Sequence, residues 1–333
     1  MALELITFIL FFVLSSGITF ALIVLLSRAG IGSIIRLQGP SSHLDKKNTP
    51  ALAGLGFMLL MLLSIPAFAL MGNVSSPIVA IVVVSLAYGA IGLSDDLMKL
   101  LLKKSYGLKA RYRILLQLLI ALLFALWVNA NVQGHGIAVP GVLHVWIPGY
   151  WLIVIDALLL AGFVNAFNFA DGLDGLAGGL GIVCIITLGI LAWRSNLNVY
   201  LGTWPWDTAL LPVAVFVGIV AGFLIFNWSP ARIFMGDGGS YALGAFIGGY
   251  AITTGLHIGL VIAGFVIIAE LLSVVIQVIS FRTTGKRVFA MTPLHHAFEV
   301  KGAKEVPIVY GFWLAGVICA LGCYLIFVLA RFQ

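Results

Sequence analysis

Charge is what this chain has least of. Only 9% of its 333 residues are Asp, Glu, Lys or Arg, against about 25% in a soluble domain. With 62% hydrophobic residues and a mean hydropathy of +1.16, the composition excludes an ordinary water-soluble globule. Cysteine is scarce too. Cys184, Cys319 and Cys323 lie in apolar runs, where a thiol behaves as a small hydrophobe. Their spacing supports neither a disulfide framework nor a metal site. There is no Gly-Lys-Ser/Thr loop to cradle a nucleotide and no clear internal repeat. No small-residue cleavage site follows the first apolar run, Leu5 to Leu26, so a removable signal peptide is not expected.

What is present is a succession of apolar runs of roughly 20 residues, the length that crosses a bilayer. Ten spans are expected, at 5–27, 51–71, 77–94, 114–130, 150–166, 176–193, 207–226, 240–256, 258–281 and 307–330. The expected fold is an all-α polytopic membrane protein, a single integral-membrane domain over residues 1–333. Sixteen of the 18 Lys and Arg fall in the loops after spans 1, 3, 5, 7 and 9, leaving Arg194 and Arg331 on the other side. The positive-inside rule then places these five loops in the cytoplasm and both termini outside. The net charge of +6 is a topology signal on this reading, and no nucleic-acid partner is expected.

Against this apolar background one stretch stands apart: Asn165–Gly179, NAFNFADGLDGLAGG. Asn165, Asn168, Asp171 and Asp174 recur every three residues, and a carboxylate at mid-bilayer costs about 2.5–3.5 kcal/mol. The plain reading is a cytoplasmic turn with helix-capping acids. Yet the stretch holds no Lys or Arg, so its acids must find cations elsewhere, in the basic loops or in a metal.

Other polar islands lie on the same expected side. Asp95-Asp96 ends span 3, and the lysines that follow, beginning with Lys99, could neutralise it as a helical ion-pair face. A divalent cation or an acid–base role is the functional alternative. In Asn227–Ser240, Asp237 is flanked by glycines that allow close approach of a ligand, and Ser240 is placed to cap span 8. The loop before Pro50 carries Lys46 and Lys47, which would touch lipid headgroups or meet a phosphate. Glu270 lies inside span 9, where pairing with a neighbouring helix is the structural explanation and a functional site the alternative. His295-His296 could ligate metal, titrate or bind phosphate. The outer loop Asn131–Gly149 carries His135 and His144, both expected to be solvated. Carboxylates gathered on an already basic side suit a Mg²⁺-bound phosphate substrate at the membrane surface.

These motifs, SSHLDKKNTPALAGL, GLSDDLMKL with KKSYGLKARYRILLQ, NAFNFADGLDGLAGG, NWSPARIFMGDGGSYALG, AELLSVVIQV and PLHHAFEVKG, occur in the order seen in a known family. The chain resembles the polyprenyl-phosphate N-acetylhexosamine-1-phosphate transferases over nearly its whole length. The HLxKKxxTP loop and the Pro-Leu-His-His…Phe-Glu loop point to the branch with a muramoyl-pentapeptide donor rather than its N-acetylglucosamine relatives. The resemblance implies a Mg²⁺-dependent reaction at a bacterial plasma membrane. In the implied reaction the phosphate of undecaprenyl phosphate would attack the β-phosphate of UDP-N-acetylmuramoyl-pentapeptide and release UMP. It also implies a homodimer.

By the same resemblance Asp237 would hold Mg²⁺, and Asp95 would deprotonate or orient the lipid phosphate with Asp96 beside it. Asn168, Asp171 and Asp174 would shape the nucleotide pocket. Phe234 would stack on uracil, Lys46 and His295 would meet phosphate or nucleoside, and Asn227, Gly236, Ser240 and His296 would line the substrate. The chain departs from the family pattern at Ala297, where a third histidine is usual, at Asn48-Thr49-Pro50-Ala51-Leu52-Ala53-Gly54, and at Arg113, where a lysine is usual.

Overall fold

A computed structural model describes residues 2–32, 49–102, 107–132, 134–140, 147–194 and 209–330. Among these, the chain forms twelve helices. They are α1 (Ala2–Arg28), α2 (Gly54–Leu70), α3 (Ser76–Leu102), α4 (Ala110–Asn131), α5 (Gly149–Ala170) and α6 (Leu176–Arg194), then α7 (Leu210–Asn227), α8 (Gly236–Thr253), α9 (His257–Ala263), α10 (Phe265–Thr284), α11 (Leu294–Val300) and α12 (Glu305–Leu329). Backbone groups in hydrocarbon must be satisfied within the chain, and helices do this segment by segment.

Eight helices are long and apolar enough to cross a membrane: α1, α3, α4, α5, α6, α7, α10 and α12. The other two expected spans take different forms. Helix α2 has 17 residues. Helix α8 has 18, but glycines, Ser240 and Asp237 dilute its hydropathy, and everything from Gly238 to Thr253 is buried. It is the central post of the bundle, packed chiefly on α3 and α5 and also on α2. Its small residues let neighbours approach closely, the usual basis of helix association where lipid removes the hydrophobic drive. A Cβ on Gly92 of α3 would overlap the Asp237 carbonyl of α8.

The expected span boundaries shift where polar residues are helical. Helix α3 runs on to Leu102, so Asp95 and Asp96 project from a continuous helix rather than a loop. Helix α5 runs to Ala170 and carries Asn168. Helix α8 starts at Gly236 with Met235 at its N-cap, so Ser240 lies inside the helix and does not cap it. The expected span 258–281 is broken at Gly264 into α9 and α10. A side chain there would press on the Leu260 carbonyl and on Phe163.

Candidate active site

The crossing of α3 and α8 brings three carboxylates together. Oxygens of Asp95, Asp96 and Asp237 lie within 4.8 Å of one another. Like charges at that distance repel unless a cation sits among them, and Lys99 supplies it. Its ammonium is 2.6 Å from Asp95, 2.5 Å from Asp237 and 3.7 Å from Asp96. One turn along α3 from both aspartates, Lys99 is the plain helical ion-pair partner expected from sequence; its bond to Asp237, 138 residues away, was not expected.

Each carboxylate is also held from elsewhere. The Leu108 N–H donates to Asp95 Oδ1 at 2.6 Å, and Arg113 stands 3.7 Å from Asp95 Oδ2. The Gly238 N–H donates to Asp96 Oδ2 at 2.9 Å. Asn168 Nδ2 reaches both Asp237 Oδ1 and Ser240 Oγ at 2.8 Å, tying α5 to α8. Gly236 is needed where it stands. Its φ is +71°, and a Cβ would lie 2.5 Å from the Ala51 carbonyl oxygen and 2.7 Å from Asp96 Oδ2.

The Asn165–Gly179 stretch forms the neighbouring wall. Asp171, half-buried at the end of α5, has its carboxyl raised well above the ordinary range, first by burial and then by the negative charges of Asp237, Asp96 and Asp174. Asp174 and Asn227 brace the loops. The Ala231 N–H donates to Asp174 Oδ2 at 2.9 Å, the Gly175 N–H donates to Asn227 Oδ1 at 2.9 Å, and Asn227 Nδ2 donates to the Ile233 carbonyl at 3.0 Å. These bonds fix the segment that delivers half-buried Phe234 and then Asp237. The Phe234 N–H bonds the Pro50 carbonyl at 2.7 Å. Lys46 lies outside the described residues.

His295 is 1% exposed, with Nδ1 3.3 Å from Glu270 Oε1 on α10 but not hydrogen-bonded to it. The ring presses against Gly172, where no Cβ would fit. His296 bonds Glu299 at 2.6 Å. An apolar cavity of about 530 Å³, lined by Phe265, Val266, Leu294, Phe298, Ile308 and Phe312 among others, opens between α10, α11 and α12.

One expectation fails outright. His135 is 8% exposed rather than solvated, and bonds Asp156 of α5. Neither Asp156 nor His257, the other imidazole on that carboxylate, was singled out from sequence; an acid inside an apolar run was the available signal.

Residues 78–255 match the family model "Glycosyl transferase family 4". That segment holds the three carboxylates, Lys99, Asn168 and the wall beside them. The chain therefore belongs to glycosyl transferase family 4, as a multi-helix membrane-type member. It is similar to proteins named phospho-N-acetylmuramoyl-pentapeptide-transferase. The Bacillus velezensis protein is 40% identical over 326 residues, covering 96% of each chain. The Bacillus subtilis protein is 39% identical over 321 residues, again 96% of each, and that of Anoxybacillus flavithermus is 40% identical over 93% of this chain and 96% of its own.

Proposed function

We infer that the chain transfers phospho-N-acetylmuramoyl-pentapeptide from its UDP-linked donor to undecaprenyl phosphate, giving lipid I and UMP for peptidoglycan synthesis. The end-to-end likeness to relatives of that name carries the reading, and the carboxylate cluster suits its chemistry. Phosphoryl transfer asks mainly for charge neutralisation and in-line positioning. A lipid phosphate, with a second pKa near 6, is largely dianionic at neutral pH and needs little help from a base.

The cluster fits Mg²⁺. Its donors are hard carboxylate oxygens, and an ammonium already stands where a cation is needed. Asp237 would hold the ion with Asp95 and Asp96. Bound there, Mg²⁺ would neutralise charge building on the transferred phosphate. The remaining roles belong to side chains. Asp95, engaged by Leu108 N–H, Lys99 and Arg113, orients the acceptor phosphate. Asn168 holds Asp237 at a fixed angle. Phe234 stacks on uracil, and Asp171, Asp174 and Asn227 shape the pocket beside it, with Gly236 letting the Ala51 carbonyl and Asp96 close against the start of α8. Lys46 meets phosphate or nucleoside and His296 lines the substrate, while buried His295 backs the wall at Gly172, and Ser240 steadies Asn168. The apolar cavity beside α11 suits part of a prenyl chain. We place this site on the cytoplasmic face of a bacterial plasma membrane, in a ten-span homodimer with both termini outside.

The test is UMP release by the purified chain with undecaprenyl phosphate and Mg²⁺. Turnover of UDP-N-acetylmuramoyl-pentapeptide and its loss with a chelator are expected. Turnover of UDP-N-acetylglucosamine alone would move the assignment to the N-acetylglucosamine-1-phosphate branch. No UMP from either donor would leave an ion-coupled transporter as the surviving alternative.

A further inference from the structure

A second cluster of ligand-type side chains lies at the other end of the bundle. Asp156 precedes Asp171 by 15 residues, about 22 Å along a helix. His257 opens α9, just past the end of α8 opposite Asp237, and His135 follows α4. Asp156 is 0% exposed, His257 3% and His135 8%. His135 Nε2 is 2.8 Å from Asp156 Oδ2, and His257 Nε2 is 2.6 Å from Asp156 Oδ1. The transfer reaction uses none of the three.

We propose that His135, Asp156 and His257 form a second metal site, for a zinc-class transition-metal ion, at the end of the bundle opposite the carboxylate cluster. Three separate segments each bring one ligand atom to within 4.8 Å of the other two. Two imidazoles with one carboxylate suit zinc, whereas Mg²⁺ takes oxygen donors. With both rings neutral, Asp156 is a fully buried anion with no Lys or Arg partner among the described residues, and burying a charge without a counter-ion is costly. Ligands about 2.1 Å from a tetrahedral ion stand about 3.4 Å apart. From contacts of 2.8 and 2.6 Å, each ring therefore withdraws by about 0.6–0.8 Å to admit the ion, and a water would complete the shell.

The test uses the full chain in detergent, free of any histidine tag and stripped with a chelator. Co²⁺ is titrated while visible ligand-field absorption is followed, and Zn²⁺ then competes. One equivalent of intensely absorbing, tetrahedral-type Co²⁺ is expected in the wild type, in Asp237→Asn and in His296→Gln, an ion in the oxygen shell of the carboxylate cluster absorbing only weakly, with that intense signal weakened about tenfold or more in His135→Gln and His257→Gln. If the histidine variants fail to fold, Zn²⁺ must still raise the melting temperature of Asp237→Asn. No absorption in the wild type, binding indifferent to His257→Gln, or a melting temperature of Asp237→Asn that Zn²⁺ leaves unmoved would overturn the proposal in favour of a proton-sharing structural triad.

Discussion

Lys99→Met is the most informative single change. The Lys99 side chain is 24% exposed, and its ammonium is the shared cation of Asp95, Asp96 and Asp237. Two unit charges 4 Å apart attract by about 4 kcal/mol at an effective dielectric constant near 20, and desolvation offsets part of that. Removing one partner of a buried pair costs about 3–5 kcal/mol, mostly because the other charge is left uncompensated. Here three carboxylates would be left. The metal-free variant should therefore melt several degrees below wild type. A divalent cation would no longer have to displace the ammonium, so it should bind the variant at least about tenfold more tightly, a gain of about 1.4 kcal/mol or more. The assay is a Mn²⁺ titration followed by the spin-resonance signal of free Mn²⁺, paired with melting curves with and without Mn²⁺. Mn²⁺ should recover most of the lost melting temperature. Mn²⁺ affinity equal to or weaker than wild type would refute the idea that Lys99 stands where the metal goes.

Other outcomes follow from the same geometry. Asp237→Ala should lower UMP release by about 10³-fold or more, through loss of a charge-stabilising group, while a size-exclusion profile in detergent stays monodisperse. Gly236→Ala should destabilise the chain by at least about 1–3 kcal/mol, because its φ of +71° and the Ala51 and Asp96 oxygens leave no place for a Cβ; a melting curve reads this. Asp171 holds its proton above the ordinary carboxylate range, so the folded chain binds more protons than the unfolded one. In chelator, stability should fall as pH rises from about 4 toward that raised value. Mg²⁺ or Asp171→Asn should flatten this slope, and melting curves across pH would measure it.

Much of the helix order was legible because a bilayer imposes long apolar runs, and eight of them reappear as helices able to span. Helix α8 was harder to bound. Its glycines serve contact with α3 and α5, not contact with lipid, so hydropathy fades where packing is densest. Asp95, Asp96, Asn168 and Asp237 were legible as polar residues out of place. Their helical setting was not, since apolar periodicity stops before the helices do. Lys99 looked like a local partner of Asp95-Asp96, and only the α3–α8 crossing makes it the partner of Asp237 as well. The His135–Asp156–His257 cluster went unread for a related reason. Its members are 21 and 101 residues apart, and nothing local in sequence links them.

The most direct test is the position of Mn²⁺ in crystals grown with the UDP-linked donor, found by anomalous scattering. The account predicts a peak among the carboxylates of Asp95, Asp96 and Asp237, with the Lys99 ammonium moved away from Asp237 and the donor pyrophosphate beside the ion. A donor-bound structure with Lys99 still on Asp237, and the ion held elsewhere, would contradict it.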